Sequence, residues 1–321
     1  MPTIAITGAS GKLGGATLSS LLSLRPPSTH IIALTSSHPG SATWTALCST
    51  APEVRHASFD DPASFAAALA GVTTLFLVST PRISMDFGGG GAAGREAHHA
   101  VAIDAAARAP SVRDVVYASL ALAWDGSASD RSRAAVMRAH LRTEAYLRGG
   151  VRAAVLRQGL YAESWPLYLG YYDVPAASEG PVRVPADGAV CWTAIADLGR
   201  ANAAVLLQPA AYAGRITYLS TRAAGARSVA EIGELVARAR GEEVRVEIVG
   251  EEREEEVVRY YVEEKGLEEA YVRWWTSTYG ALAAGEARVD DPTLERLLEG
   301  MGREPVRVED VVERMVREGR K

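Results

Sequence analysis

The stretch "TGASGKLGG", Thr7 to Gly15, follows the apolar run "TIAI" and leads directly into "ATLSSLLSL". Its glycines form the pattern Gly8-x-x-Gly11-x-x-Gly14 between a predicted strand and a predicted helix. In that position the first glycine makes the turn, the second admits a pyrophosphate against bare backbone, and the third lets the helix approach the strand. The phosphate would lie at the positive N-terminus of the helix. An ordinary tight turn is the alternative, but the strand, loop and helix context favours a dinucleotide-binding loop.

Short apolar runs rich in β-branched residues alternate with alanine-rich amphipathic stretches over the first two thirds of the chain. Buried parallel strands are nearly continuous apolar runs. We therefore predict strands separated by helices, the strands at 3–7, 30–35, 53–59, 73–80, 114–120, 152–157 and 215–220. The repeated βαβ order predicts an α/β fold of Rossmann type, with a doubly wound parallel sheet.

The pattern changes after residue 157. Residues 158–190 are aromatic and loop-like, and from about 225 the chain is mostly charged helix with one strand candidate at 243–249. We predict a Rossmann domain of residues 1–157 plus about 191–222. A smaller, mostly helical C-terminal substrate domain is predicted from about 158–190 plus 223–321. The glycine-rich run at 88–94 is predicted to be a loop after the fourth strand.

Composition restricts the classes of protein and of ligand. With 321 residues and 48% hydrophobic content, the chain can bury a large core. A net charge of −5 leaves no basic face for nucleic acid. Cys48 and Cys191 are far apart and lack metal-site spacing, so we expect no disulfide framework, no metal and a reducing compartment. With no secretory leader and no apolar run of about 18 residues, we expect a cytoplasmic protein with no membrane partner.

The end of the second predicted strand bears on which dinucleotide binds. A carboxylate that holds the adenosine ribose is expected about 20 residues after the loop, but the strand ends Thr35, Ser36, Ser37, His38. A carboxylate would repel a 2′-phosphate, whereas hydroxyl groups, His38 and Lys12 can bind one. We therefore favour NADP(H) over NAD as the cofactor. The alternative is that residues 36–40 form a simple turn.

Four further segments follow along the chain: "REAHHAVAIDAA", "YASL" after the fifth predicted strand, "HLRTEAYL" and "VLRQGLYAES". With "AITGASGKLG", in this order and spacing, these segments resemble the NmrA-like branch of the atypical short-chain dehydrogenases, which includes type 2 quinone reductases and triphenylmethane reductases. The resemblance extends over nearly the whole chain. It implies an NADPH-binding core and a substrate cleft between the carboxyl edge of the sheet and the C-terminal domain.

The resemblance also implies which residues contact the cofactor, from the phosphates through the adenosine end to the nicotinamide: Gly8, Ser10, Gly11, Lys12, Leu13 and Gly14; Ser36 and Ser37; Ser79 and Thr80; Tyr117, Ala118 and Ser119; Gly159, Leu160 and Tyr161. Two positions depart from the family. Ala145 replaces a lysine expected to hold the nicotinamide ribose, and Ser36 replaces an arginine that clamps the 2′-phosphate.

Four proton donors are candidates for catalysis near the expected cleft: Tyr117, Ser119, His140 and Tyr161. Each has a plain structural alternative, and for His140 this is a half-buried helix histidine. Hydride transfer to a delocalised acceptor needs no strong acid, because protonation can follow from solvent and positioning supplies most of the effect.

These observations predict an NADP(H)-dependent reductase that transfers hydride to a small quinone-like or other planar conjugated substrate. Two aromatic groups are candidates for the walls that orient it: Trp165, Tyr168, Tyr171 and Tyr172, or Tyr271, Trp274, Trp275 and Tyr279. A non-catalytic NmrA-like dinucleotide sensor and a tailoring reductase of a biosynthetic pathway are the alternatives. A homodimer is left open.

Overall fold

The computed structural model describes residues 1–88, 93–149, 151–176 and 180–319. Of the predicted glycine loop at 88–94, residues 89–92 lie outside these ranges. Within the described residues the chain forms nine strands: β1 (Thr3–Ile6), β2 (His30–Thr35), β3 (Glu53–His56), β4 (Thr74–Val78), β5 (Asp114–Leu120), β6 (Ala153–Gln158), β7 (Val182–Val184), β8 (Ile216–Leu219) and β9 (Val246–Ile248).

Seven of these strands form one parallel sheet in the order β3-β2-β1-β4-β5-β6-β8. The chain winds outward from β1 to β3, returns to the middle, and winds the other way from β4. The prediction of a doubly wound parallel sheet is therefore confirmed. Strand β4 is shorter than the predicted 73–80 and ends at Val78, so Ser79 and Thr80 follow the strand at its carboxyl end.

The α-helices within the described ranges are α1 (Lys12–Leu24), α2 (Ala42–Cys48), α3 (Pro62–Ala68), α4 (Glu96–Arg108), α5 (Met137–Leu147), α6 (Trp165–Tyr168), α7 (Ile195–Leu207), α8 (Val229–Arg240), α9 (Glu254–Arg259), α10 (Glu269–Ala283), α11 (Thr293–Glu299) and α12 (Val308–Gly319). Short 3₁₀ turns lie between some strands and helices, and one of them, Ile83–Gly88, lies between β4 and α4.

The helices cover both faces of the large sheet. Helices α1 and α7 pack together on one face, where a Cβ on Gly199 would lie 2.7 Å from the backbone of Ala16, so only glycine allows this approach. On the other face, Phe65 of α3, Ala102 of α4 and Leu147 of α5 share a buried cluster with the strands. Parallel strands buried on both faces explain the continuous apolar runs in the sequence.

A second cluster of buried residues lies between residues 122 and 316 and includes Trp165 and Trp275. Strands β7 and β9 pair in parallel beside it. Strand β7 was not predicted, because three residues inside an aromatic segment give too short a pattern to recognise. The division into two domains stays a prediction.

No helix in the described part of the chain is both long and apolar enough to cross a bilayer.

Candidate dinucleotide-binding site

The glycine loop has the geometry that its spacing predicts. Gly8 has a φ of +60°, in the left-handed region that favours glycine, and its carbonyl oxygen accepts the amide of Gly11 at 2.8 Å. A Cβ on Gly14 would lie 2.2 Å from that oxygen. The turn and the approach of helix to strand therefore both require glycine, which an ordinary tight turn would not.

The N-terminus of α1 faces the loop without a competing anion. The helix begins at Lys12 after Gly11, no side chain of the described residues caps it, and its first turn holds no acidic residue. The first amide groups of a helix have no partner within the helix, and the helix dipole adds positive potential there. This end of α1 is therefore suited to bind a phosphate.

A cavity of about 410 Å³ lies over this helix end, at the point where the strand order reverses between β1 and β4. Ligands of open α/β sheets bind at this point. The loop after β1, the carboxyl ends of β2, β3 and β4, and one residue after β6 supply its walls. The predicted residues that line it are Gly8, Ser10, Gly11, Lys12, Leu13, Gly14, Ser36, Ser37, Ser79, Thr80 and Tyr161.

The wall after β2 carries hydroxyl groups. Ser36 is exposed at the cavity, and the amide of Ser37 donates to the hydroxyl oxygen of Thr35 at 3.1 Å. The carboxylate on the cavity wall is Asp60, after β3, and both its oxygens accept from the guanidinium of Arg82, at 2.7 and 2.5 Å. This pairing lowers the pKa of Asp60. The β2 end thus leaves room for an additional phosphate.

Five residues predicted to contact the cofactor do not line the cavity: Tyr117, Ala118, Ser119, Gly159 and Leu160. All five are buried, because they belong to β5 or follow β6 in the covered interior of the sheet. A Cβ on Gly159 would lie 2.2 Å from Oγ1 of Thr193, so this glycine is required by packing between chain segments. The contact of these residues with the cofactor stays a prediction.

Tyr117 belongs to a buried polar cluster between the sheet and helices α4 and α5. Its hydroxyl lies 2.8 Å from Nδ1 of His140, and Nδ1 of His99 lies 2.7 Å from Oγ1 of Thr143. Burial raises the pKa of the Tyr117 phenol and holds the pKa of His140 well below its ordinary value. Both side chains are therefore neutral and occupied by internal partners, which supports the structural alternative for His140.

The side chain of Ser119 also forms its hydrogen bond with a buried partner. Its hydroxyl donates to Oε1 of Glu144 at 2.6 Å, and the same carboxylate accepts from Nε and Nη2 of Arg157 at 3.0 and 2.8 Å. The side chains of this ion pair are 1% and 0% exposed. Arg157 also donates to Tyr218 and to backbone carbonyl oxygens, so all its donors are directed to internal partners.

Tyr161 alone among the four predicted proton donors lines the cavity. It is half-buried and follows β6, where it pairs with Thr193 through a β-bridge. Burial raises the pKa of its phenol, so the hydroxyl keeps its proton throughout the physiological range. It can donate a hydrogen bond to a ligand but is a weak acid.

The position of the family lysine does not face the cavity. Ala145 is exposed on α5, whereas its neighbours Thr143 and Glu144 are buried toward the sheet. A side chain at position 145 would therefore extend into solvent. The absence of a lysine here does not remove a group from the cavity wall.

The aromatic residues divide into two groups. Four of the predicted wall residues are core, with exposures of 5% or less: Trp165, Tyr172, Trp275 and Tyr279. The other four are half-buried: Tyr168, Tyr171, Tyr271 and Trp274. Phe87, which was not predicted, packs against Tyr271 and Trp274 at centroid distances of 5.7 Å.

Three other polar residues near the cavity were not predicted: Asp86, Arg95 and His99. Nε of Arg95 donates to Asp86 at 2.8 Å in an ion pair whose side chains are 5% and 4% exposed. His99 is fully buried. The signal in the sequence was the spacing of four between Arg95 and His99, which places both on one face of a helix.

No group of three or more side chains within the described ranges is arranged to hold a metal ion.

The parallel sheet, the glycine loop and the cavity at the switch point define a Rossmann-type dinucleotide-binding protein. Residues 1–274 match the NmrA-like family, and the chain belongs to that family.

Its relatives and structural neighbours include several named oxidoreductases. An NmrA-like family domain-containing oxidoreductase, flvB, of Aspergillus flavus is 27% identical over 316 residues, which cover 98% of this chain and 95% of the relative. Quinone oxidoreductase 2 of Escherichia coli is 33% identical over 220 residues, 68% of each chain.

Two solved structures cover nearly all of both chains. The NADPH-dependent quinone oxidoreductase QOR2 of Escherichia coli, complexed with NADPH, has a TM-score of 0.77 at 25% identity and covers 97% of this chain and 99% of its own. The triphenylmethane reductase of Citrobacter sp., complexed with NADP(H), has a TM-score of 0.76 at 25% identity and covers 98% and 99%. The predictions of the family, the fold and an oxidoreductase are confirmed.

Proposed function

We propose that this protein is a reductase that transfers hydride from NADPH to a quinone-like or other planar conjugated acceptor. The observation that carries the proposal is the N-terminus of α1, which no side chain of the described part of the chain caps. It lies beneath a switch-point cavity whose β2 wall holds Ser36 and Ser37. The names of the quinone and dye reductases among the relatives support the acceptor class.

The residues on the wall fit such a cofactor. The Gly8–Gly14 loop binds the pyrophosphate, Lys12 with Ser36 and Ser37 binds the phosphorylated adenosine end, and Ser79, Thr80 and Tyr161 line the nicotinamide end. Bound NADPH would supply the hydride. The chain itself orients the two reactants and excludes water, and Tyr161 donates a hydrogen bond while it keeps its proton.

The half-buried aromatic side chains are the proposed acceptor wall. Phe87 of the Ile83–Gly88 turn lies against Tyr271 and Trp274 of α10, so residues from both parts of the chain meet there. Burial raises the pKa of the Tyr168 phenol, and the charges of Tyr161 and Tyr271 add to the increase. Aromatic faces of this kind stack on planar conjugated rings.

The test is a calorimetric titration with NADPH, NADP⁺, NADH and NAD⁺ at one salt concentration. We expect NADPH to bind most tightly, and its absorbance to fall when a quinone or a triphenylmethane dye is added. Preference for an oxidised cofactor without turnover would identify a sensor instead. Binding of NADPH without turnover of quinones or dyes would favour a tailoring reductase with another substrate. If none of the four binds, the loop is only a turn and the proposal is wrong.

A further inference from the structure

The hydroxyl group of Ser79 is held by two buried side chains. Ser79 follows β4 and lies on the cavity wall. Nη1 of Arg95 donates to its Oγ at 3.1 Å, and Nε2 of His99 lies 3.1 Å from the same oxygen. Arg95 is 5% exposed and His99 is fully buried. Ser79 is therefore a cavity residue whose side-chain orientation is determined by two buried side chains.

The position of the proton on His99 follows from its neighbours. The backbone amide of Thr80, which can only donate, points at Nε2 from 3.3 Å, so Nε2 accepts. On the other side of the ring, the Thr143 hydroxyl donates to the Ala139 carbonyl at 2.8 Å, so it accepts from Nδ1 of His99 at 2.7 Å. Burial lowers the pKa of His99 to about 3, which keeps the ring neutral. His99 therefore carries its proton on Nδ1.

This assignment fixes the direction of both hydrogen bonds of Ser79. Because Nε2 of His99 has no proton, the Ser79 hydroxyl donates to its single lone pair at 3.1 Å and shares it with the more distant Thr80 amide at 3.3 Å. The Thr80 carbonyl oxygen, the other acceptor near this hydroxyl, lies farther away at 3.5 Å. The guanidinium of Arg95 can only donate, so it occupies one lone pair of Ser79. One lone pair of the hydroxyl oxygen remains for a ligand.

We propose that Arg95 and His99 are positioning residues that make the hydroxyl of Ser79 an acceptor-only contact for an N–H or O–H donor on the nicotinamide nucleoside half of the cofactor.

Arg95 is itself fixed in place. Asp86 accepts from its backbone amide at 2.9 Å and from its Nε at 2.8 Å, and the Val136 carbonyl accepts from Nη2 at 3.3 Å. Each contact uses a different donor of Arg95, so the guanidinium has a single orientation. The donor directed at Ser79 is therefore preorganised before any ligand binds.

The order of the strands determines which half of the cofactor meets Ser79, and this step rests on the proposed function. The sheet places the β2 wall with Ser36 on one side of the glycine loop and β4 with Ser79 on the other. A dinucleotide with its pyrophosphate on the loop and its adenosine over β2 extends its second nucleoside over β4. That nucleoside carries ribose hydroxyls and a carboxamide N–H, which are the donors that an acceptor-only hydroxyl selects.

The first test needs no cofactor. Nitrogen-15 NMR of the unliganded protein distinguishes the two neutral tautomers of histidine from each other and from the cation. We expect His99 to be neutral at neutral pH with its proton on Nδ1. A proton on Nε2, or a charged ring, would reverse the direction of the Ser79 bond and overturn the proposal.

The second test separates positioning from stability. We would titrate the wild type, Ser79→Ala, Arg95→Met and the double variant with NADPH and with adenosine 2′,5′-bisphosphate, which lacks the nicotinamide half. We expect each single variant to bind NADPH about three- to tenfold more weakly, as for loss of one hydrogen bond, and the bisphosphate unchanged. The double variant should be no weaker than Ser79→Ala, since both changes remove one contact.

Three outcomes would contradict the proposal: unchanged NADPH affinity in Ser79→Ala, equal loss for both ligands in Arg95→Met, or additive losses in the double variant. Should Arg95→Met not fold, Arg95→Lys takes its place, because it keeps the charge beside Asp86 but loses the fixed planar array of donors. If the wild type binds the bisphosphate but not NADPH, the proposed function fails while the tautomer of His99 is still decided.

Discussion

Gly14 has no room for a side chain, because a Cβ there would lie 2.2 Å from the carbonyl oxygen of Gly8. We predict that Gly14→Ala moves the loop away from the helix end and weakens NADPH binding by about ten- to hundredfold. Calorimetric titration measures the loss. Gly225→Ala is the matched control, since a Cβ at Gly225 meets nothing within 4 Å. Wild-type affinity in Gly14→Ala would show that the loop does not bind the cofactor.

Ser36 lies exposed on the β2 wall of the cavity. We predict that Ser36→Arg raises the ratio of NADPH to NADH affinity by about tenfold, because a guanidinium forms charge-assisted hydrogen bonds with a 2′-phosphate. The four-nucleotide titration gives this ratio directly. Ser49→Arg, at an exposed position after α2, controls for the added charge. An equal change for both cofactors would place the 2′-phosphate elsewhere.

The residues of the site were predictable to different degrees. The backbone geometry of the loop glycines was predictable because their spacing acts locally, whereas their contact with a cofactor stays a prediction. The sequence did not show that Tyr117 and Ser119 lie off the cavity wall, because a strand covered on both faces does not reveal which side chains turn toward a cavity. Arg95 and His99 were missed because their role depends on contacts with Ser79, which lies 16 and 20 residues away in the chain.

Helix α5 is fixed to β5 and β6 by the buried Glu144–Arg157 pair. We predict that Glu144→Ala lowers the free energy of unfolding by about 3 to 5 kcal/mol, because it leaves the Arg157 charge buried without its partner. Urea denaturation measures this loss. The control is Glu234→Ala, which removes one side chain of an exposed i,i+4 pair with Arg238. It should lower the free energy of unfolding by less than about 0.5 kcal/mol. Similar costs for the two variants would mean that Arg157 finds other partners at little expense.

Strands and helices were recognised in proportion to their length and burial. The seven strands of the large sheet were predicted, most of them as apolar runs between turn signals; β3, with the sequence EVRH, is the exception. Strand β7 has three residues in a segment rich in aromatics, and its pairing with β9 joins residues 64 apart in the chain, as Val182 and Val246 show. No local pattern carries information about such a contact.

The order of elements along the whole chain made the topology predictable. A parallel sheet with crossover helices has few arrangements once the handedness of each βαβ unit is fixed. The second buried cluster was harder to predict, because it collects residues between 122 and 316 that no single periodic segment connects. The sequence therefore could not show which of its aromatic residues belong to the core and which to the proposed acceptor wall; their burial shows this.

The stability of the whole molecule should depend on pH through two histidines of the buried polar cluster. Burial lowers the pKa of His99 to about 3 and that of His140 well below 6.5. Both are neutral in the folded protein, while the unfolded chain takes up protons below about pH 6.5. The unfolded state then binds more protons than the folded state. The free energy of unfolding therefore has its full value above that pH and falls as the pH decreases toward 3.

Between about pH 7.5 and about pH 5.5 each histidine should lower the free energy of unfolding by about 1.4 kcal/mol, or about 3 kcal/mol for the pair. Carboxyl groups with lowered pKa values, such as Glu53, start from 4.5 and contribute below this window. Urea denaturation at several pH values measures the slope, to which His98 adds because burial lowers its pKa as well. His140→Gln should remove the share of one histidine from that slope, whatever the stability of the variant. A free energy of unfolding that stays constant across the window would mean that these rings take up protons in the folded protein, and the neutral His99 required behind Ser79 would then be lost as well.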